Sequence, residues 1–124
     1  MPTDGNVLFD LAFTVKPGNL DTFAQQIQAM AAQAEQQEPG TLTYEIRLDR
    51  EGNRCLLHER YQDENAAVRH VQGRIVQQNL AELLEKAEIT RFEVAGVQGD
   101  KAQAVLREYG ATFLDDGGGF RRSA

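Results

Sequence analysis

From Asn6 to Val15 the chain alternates. Val7, Phe9, Leu11, Phe13 and Val15 point one way, and Leu8, Asp10, Ala12 and Thr14 point the other. A period of two predicts a strand with one strongly apolar face and a mixed face carrying one carboxylate. Lys16-Pro17-Gly18 makes a turn, and Asn19 suits a helix N-cap. The period then changes. Leu20, Phe23, Ile27, Met30, Ala31 and Ala34 keep helical spacing against a glutamine-rich opposite face, an amphipathic helix reaching about Gln37. Glu38-Pro39-Gly40 ends it.

Alternation returns from Thr41 to Leu48 and again from Arg54 to Tyr61, across a polar loop of hairpin length at Asp49–Asn53. In the second of these strands Cys55, Leu57, Glu59 and Tyr61 share a face, while Leu56 and His58 lie with Arg54 and Arg60. Asp63 stands where an N-cap belongs, and Ala66, Ala67, His70 and Val71 follow at the spacing of one helical face. That face is apolar except for His70. It carries an imidazole toward the interior, beside the strand end that bears Tyr61. The short helix is expected to end near Gly73. A longer one carries Ile75, Leu80, Leu83, Leu84 and Ala87, and a fourth strand runs over Ile89–Val97. Beyond it, Asp100 can cap a helix striped by Ala102, Val105, Leu106 and Tyr109, with Gly110 at its end and a short edge strand at Thr112–Leu114.

The order strand, helix, strand, strand, helix, strand predicts an α+β fold. It is the split β-α-β, ferredoxin-like arrangement, an antiparallel sheet with helices on one face. Both faces of the first strand and the Leu56 side of the third hold apolar residues. A second copy of the sheet would cover them, so a symmetric homodimer is expected. Residues 1–97 form the basic domain, and 98–124 are an extension packed on it.

Composition excludes more than it assigns. The chain has 124 residues, 41% of them hydrophobic, and suits one domain. A net charge of −6 weighs against nucleic acid as a partner. No apolar run is long enough for a membrane span. The start, Met1 to Asn6, lacks the basic and apolar regions of a signal peptide, so a cytoplasmic location is the default. Cys55 is the single cysteine, which removes any internal disulfide framework. His58, Glu59 and His70 have no recognised metal-ligand spacing, and the segment 96–101 lacks the phosphate-loop pattern.

Three segments together resemble a known family: Val-Lys-Pro-Gly-Asn at 15–19, Glu-Pro-Gly-Thr-Leu-Thr-Tyr-Glu at 38–45, and Glu-Arg-Tyr-Gln-Asp-Glu-Asn-Ala-Ala-Val-Arg-His at 59–70. The pattern is similar to antibiotic biosynthesis monooxygenase domains of the dimeric α+β barrel superfamily, quinol monooxygenases among them. The resemblance covers roughly residues 6 to 97. It implies a dimer of ferredoxin-like subunits, each with a pocket between sheet and helices. Some members oxidise phenols or hydroquinones with molecular oxygen, without flavin, haem or metal. Others degrade haem. The family's aromatic position is Tyr61 here and often tryptophan elsewhere. This chain has no tryptophan, which argues against the haem-degrading branch.

On that resemblance His70 is the expected general base, since imidazole titrates near neutrality. Asp10 would orient it or act as the base itself. Tyr61, Tyr44 and Phe23 are the expected contacts of a small aromatic substrate, and no cofactor is expected. Duller roles compete: His70 bonded to backbone, the tyrosines as core aromatics, Asp10 as a solvated or interface carboxylate, Glu59 paired across strands with an arginine. The function expected is a cofactor-independent monooxygenase acting on a quinol- or phenol-like aromatic. The alternative is a non-catalytic dimeric domain that binds or senses a small hydrophobic ligand. The two differ in whether His70 lines a cavity together with another polar group.

Overall fold

A computed structural model describes residues 5–123. In chain order they form β1 (Val7–Val15), α1 (Leu20–Gln37), β2 (Thr41–Asp49), β3 (Arg54–Tyr61) and α2 (Glu64–Gln72). Then come α3 (Arg74–Lys86), β4 (Ala87–Ala95), α4 (Asp100–Arg107) and β5 (Thr112–Leu114). The first residues, on which the reading of the N-terminus rests in part, lie outside the described range.

The strands make one sheet in the order β2-β3-β1-β4-β5. β1 lies in the middle, antiparallel to β3 and to β4. The ferredoxin-like core is thus as expected from the order of elements. The sheet as a whole is mixed, because β5 runs parallel to β4 after a crossover through α4. The boundary between α3 and β4 also differs from the sequence reading. Ala87 adopts extended backbone directly after Lys86 and pairs with Val15, so the strand begins there without a loop. An apolar residue that fits a helical stripe fits a strand face equally well.

Local chemistry explains the helix starts. The Asp63 carboxylate accepts the Ala66 N–H at 2.8 Å, as an N-cap should. Asn19 precedes α1 but its side chain makes no cap bond; its amide donates instead to the Pro17 carbonyl at 3.3 Å. Asp100 is the first residue of α4 rather than its cap, which is Gly99. Glu64, from the first turn of α2, accepts the backbone N–H groups of Gln98 and Gly99. The same carboxylate therefore favours the positive end of its own helix and tethers the loop into α4.

The strand alternation sorts the side chains as their period demands. Val7, Phe9, Phe13 and Val15 of β1, with Cys55, Leu57 and Tyr61 of β3 and Phe92 and Val94 of β4, are buried against the helices. The core has two lobes. One gathers Phe13, Phe23, Ile27, Met30, Leu57 and Leu83; the other gathers Val7, Phe9, Tyr61, Val71, Phe92 and Leu106. The buried Leu106 shows that α4 belongs to this core.

Candidate active site

Where the lobes meet, one buried imidazole is bracketed by two carboxylates. α2 brings His70 inward, buried at 4% exposure. Its Nδ1 lies 2.7 Å from Glu38 Oε1, at the end of α1. A carboxylate only accepts, so this bond places a proton on Nδ1 and leaves Nε2 as the basic nitrogen of the neutral ring. Thr41 Oγ1 donates to the same Glu38 oxygen at 2.9 Å and holds it in place. On the other side Nε2 faces Glu59 Oε1 at 3.7 Å, too far for a hydrogen bond but close for charge. Glu59 is 3% exposed, and its Oε1 accepts from the Tyr61 hydroxyl. The Tyr61 ring sits 5.2 Å from the imidazole, and Tyr44 stands edge-on to it at 6.0 Å.

These neighbours set the protonation states. Burial alone would push the His70 pKa down, but the Glu38 bond and the charges of Glu59 and Glu38 outweigh it and hold it above the ordinary histidine value. Burial likewise works against the Glu38 carboxylate, yet the bond and charge of His70 bring its pKa below the ordinary value. Glu59 is raised, because complete burial exceeds the help it receives from His70 and Tyr61. Burial, then the nearby Glu59 charge, pushes the Tyr44 and Tyr61 phenols well up, so both keep their protons. The raised His70 and the lowered Glu38 both favour the charged form of their pair, while burial holds Glu59 toward its neutral form.

The imidazole opens on a cavity of about 70 Å³. Its walls are apolar, with Phe9, Leu11, Phe13, Leu57, Leu83 and Phe92 among them. His70, Glu59, Tyr44 and Tyr109 are the lining residues with polar groups. No lysine or arginine is found among the described lining residues.

The structure brings together only part of the set expected from sequence. His70, Tyr44 and Tyr61 converge. Asp10 does not: it points from the opposite face of β1, where its Oδ1 lies 2.8 Å from His58 Nδ1. The alternation that sends Phe9 and Leu11 to the cavity sends Asp10 away from it. The position expected of Asp10 beside the imidazole is taken by Glu38. Phe23 is fully buried but packs on Phe13, at 5.1 Å between ring centroids, in the lobe behind the cavity wall. Glu59 faces inward with Cys55, Leu57 and Tyr61, and meets Tyr61 and His70.

Glu38 was legible only as a helix stop, because nothing in its neighbourhood signals a partner 32 residues away. Glu59 did carry a signal: a carboxylate on an otherwise apolar strand face. The sequence stripe of α4 included Tyr109, yet its place in the cavity wall follows from the crossover.

Comparison with known proteins follows this geometry. The sequence pattern of the family described as antibiotic biosynthesis monooxygenase matches residues 8–82. Among solved structures, MupZ from Pseudomonas fluorescens is similar at a TM-score of 0.81 and 22% identity, with 94% of each chain covered. SO0527 from Shewanella oneidensis is similar at 0.64 and 17%, covering 74% of this chain and 88% of its own. Rv0793 from Mycobacterium tuberculosis is similar at 0.61 and 22%, covering 72% and 89%. At these identities the likeness is one of fold. No curated protein matches in sequence.

Proposed function

The chain belongs to the antibiotic biosynthesis monooxygenase family, and from that premise we propose that it oxidises a small phenol- or quinol-like aromatic with molecular oxygen, using no cofactor. One observation carries this reading. A buried histidine, oriented by a carboxylate at Nδ1, lines an apolar cavity together with Glu59 and Tyr44. Ground-state oxygen reacts slowly with closed-shell molecules, but an electron-rich phenolate can give it an electron. The protein's work is then to remove a proton and to hold the anion where water is excluded.

In the proposed sequence His70 Nε2 takes the phenol proton. Glu38 stabilises the imidazolium that results, as a carboxylate bonded to the far nitrogen of a histidine does. The phenolate passes one electron to oxygen, and the phenoxyl radical and superoxide combine in a new carbon–oxygen bond. Loss of water leaves a quinone. A phenol and one molecule of oxygen thus become a quinone and one water, with one oxygen atom in each. Tyr44, still protonated, can donate a hydrogen bond to the developing oxyanion. Tyr61 is committed to Glu59.

We also propose a homodimer formed through the outer face of the sheet. Leu8 and Leu56 are half-buried there beside the Asp10–His58 pair, on a face that the helices leave uncovered. A different observation favours the alternative of a ligand-binding domain: both sides of the imidazole already have protein partners, so His70 has a structural use without chemistry.

Oxygen uptake by metal-free protein with a panel of hydroquinones and phenols separates the two. In the monooxygenase reading His70→Ala lowers uptake above autoxidation by roughly 10²–10⁴-fold, the usual contribution of a positioned base. Saturable binding of the same compounds with no uptake would instead support the binding domain.

A further inference from the structure

Ile89, Phe92 and Tyr109 line both the inner cavity and a neighbouring groove of about 360 Å³. Thr90, Arg91, Glu93, Gly110 and Thr112 complete the groove. It exists because β5 is short. β5 pairs with β4 only over Glu93–Ala95, so the outer edge of β4 before Glu93 has no neighbouring strand. The register of β1 on β4 also slips there, leaving Thr90 as an extra residue between the partners of Ala12 and Phe13. A bulge of this kind bends the strand and re-aims the side chains beside it. A polar recess and an apolar one are therefore neighbours that share these three side chains.

Tyr109 is the one of the three that is not built into the sheet. It follows α4 and precedes Gly110, whose φ of 89° turns the chain toward β5. One side-chain bond holds the ring to α3: the Gln77 amide donates to the Tyr109 hydroxyl at 2.8 Å and to the Val71 carbonyl at 2.7 Å. The ring is half-buried, as are Val76 and Leu80, cavity residues on the same helix as Gln77. Phe92 by contrast is buried between strands and packs edge-on against Phe9 at 5.0 Å. A half-exposed ring on a turn can change rotamer far faster than a strand can move.

We propose that Tyr109 is the gate between the groove and the cavity beside His70, and that it sets the size of the aromatic molecules admitted. The proposal rests on the reading of the cavity as the ligand site, but not on its oxidation chemistry. The groove is where a ligand first arrives, and its polar rim suits a molecule that still carries water. Displacing the Tyr109 ring opens the way past Ile89 and Phe92, and its return closes the wall over the ligand. The segment after Val97 thereby acquires a role in the site, since α4 and β5 place this one side chain.

The test uses the full-length protein and two probes with no hydroxyl to oxidise, toluene and 1-methylnaphthalene. Failure of the oxygenase reading then leaves the result intact. Binding and exchange are followed through the methyl NMR signals of Val76, Leu80 and Leu83. Tyr109→Ala is expected to raise the toluene association rate by about tenfold or more and to admit 1-methylnaphthalene, which the wild type rejects. Tyr109→Phe keeps the ring and loses the bond to Gln77, so it should speed toluene association without admitting the larger probe. Toluene rates within about twofold of wild type in both variants would overturn the gate. So would the absence of any methyl perturbation in all three proteins. Should Tyr109→Ala fail to fold, Tyr109→Phe decides the matter alone, because an unchanged rate contradicts the proposal.

Discussion

His70 illustrates how two neighbours determine what one side chain can do. Its pKa is raised, so at the low end of the neutral range it is an imidazolium, already paired with Glu38 and unable to accept a proton. Activity as a base should therefore increase with pH, with a midpoint above that of ordinary histidine. Glu38→Gln removes the principal raising influence while keeping a group able to accept from Nδ1. The midpoint of its pH–rate profile should move below that of the wild type, and an unchanged midpoint would show that Glu38 does not tune the base. Stability follows the same linkage. The raised His70 contributes stability that is complete below the ordinary histidine value and disappears as pH rises through its folded value. The lowered Glu38 contributes stability that is present above the ordinary carboxylate value and disappears as pH falls through its folded value. The pair is therefore most stabilising between the two. Replacing the ring by His70→Ala leaves the buried Glu59 and the half-buried Glu38 without the imidazole between them and should cost about 3 kcal/mol in urea unfolding near neutral pH.

At the scale of the element, α2 is the part on which the site depends, and two short-range contacts place it. Asp63 caps its start, and Asp63→Ala should lose about 1 kcal/mol in the same measurement. Gly40, just before β2, lets the chain after Glu38 pass close to α2. A Cβ built there would lie 2.7 Å from the Ala66 Cβ. Gly40→Ala must push α2 outward, and the same displacement lengthens the His70–Glu38 bond. We expect a loss of about 1–3 kcal/mol, typical of overpacking, together with a fall in activity. A variant destabilised to that extent but fully active would show that α2 and the end of α1 can separate without harm to the site. Ala67, which is fully buried and next to Ala66, explains why the helix has no slack on this face.

For the whole molecule, the two faces of the sheet have divided their labour. The inner face carries the cavity. The outer face carries Leu8, Leu56 and the Asp10–His58 pair, and it is the expected dimer contact. Leu56→Glu places a charge in that contact and should yield a monomer in analytical ultracentrifugation, with the inner cavity untouched; a persistent dimer would locate the interface elsewhere. The inner cavity carries the Glu59 carboxyl and no lysine or arginine along its described lining. Neutral phenols should therefore bind at least roughly tenfold more tightly than isosteric carboxylated ones, as direct titration would reveal, since a carboxylate would give up its hydration beside an imidazole that is already paired with Glu38.

Order of elements, strand faces and the inward path of His70 were all legible from periodicity, because they depend on residues two to four positions apart. The same regularity already placed Asp10 away from the apolar face of β1, so the structure's separation of Asp10 from His70 follows from a pattern visible in the chain. Other relations could not be read along the chain. Glu38 meets His70 across 32 positions, Tyr109 meets Gln77 across 32, and Asp10 meets His58 across 48. The partner of a buried charge depends on how helices and strands close on one another, and sequence spacing holds no record of that distance. Periodicity could say that an imidazole would be buried; packing chose which carboxylate would raise its pKa and which rings would line the cavity beside it.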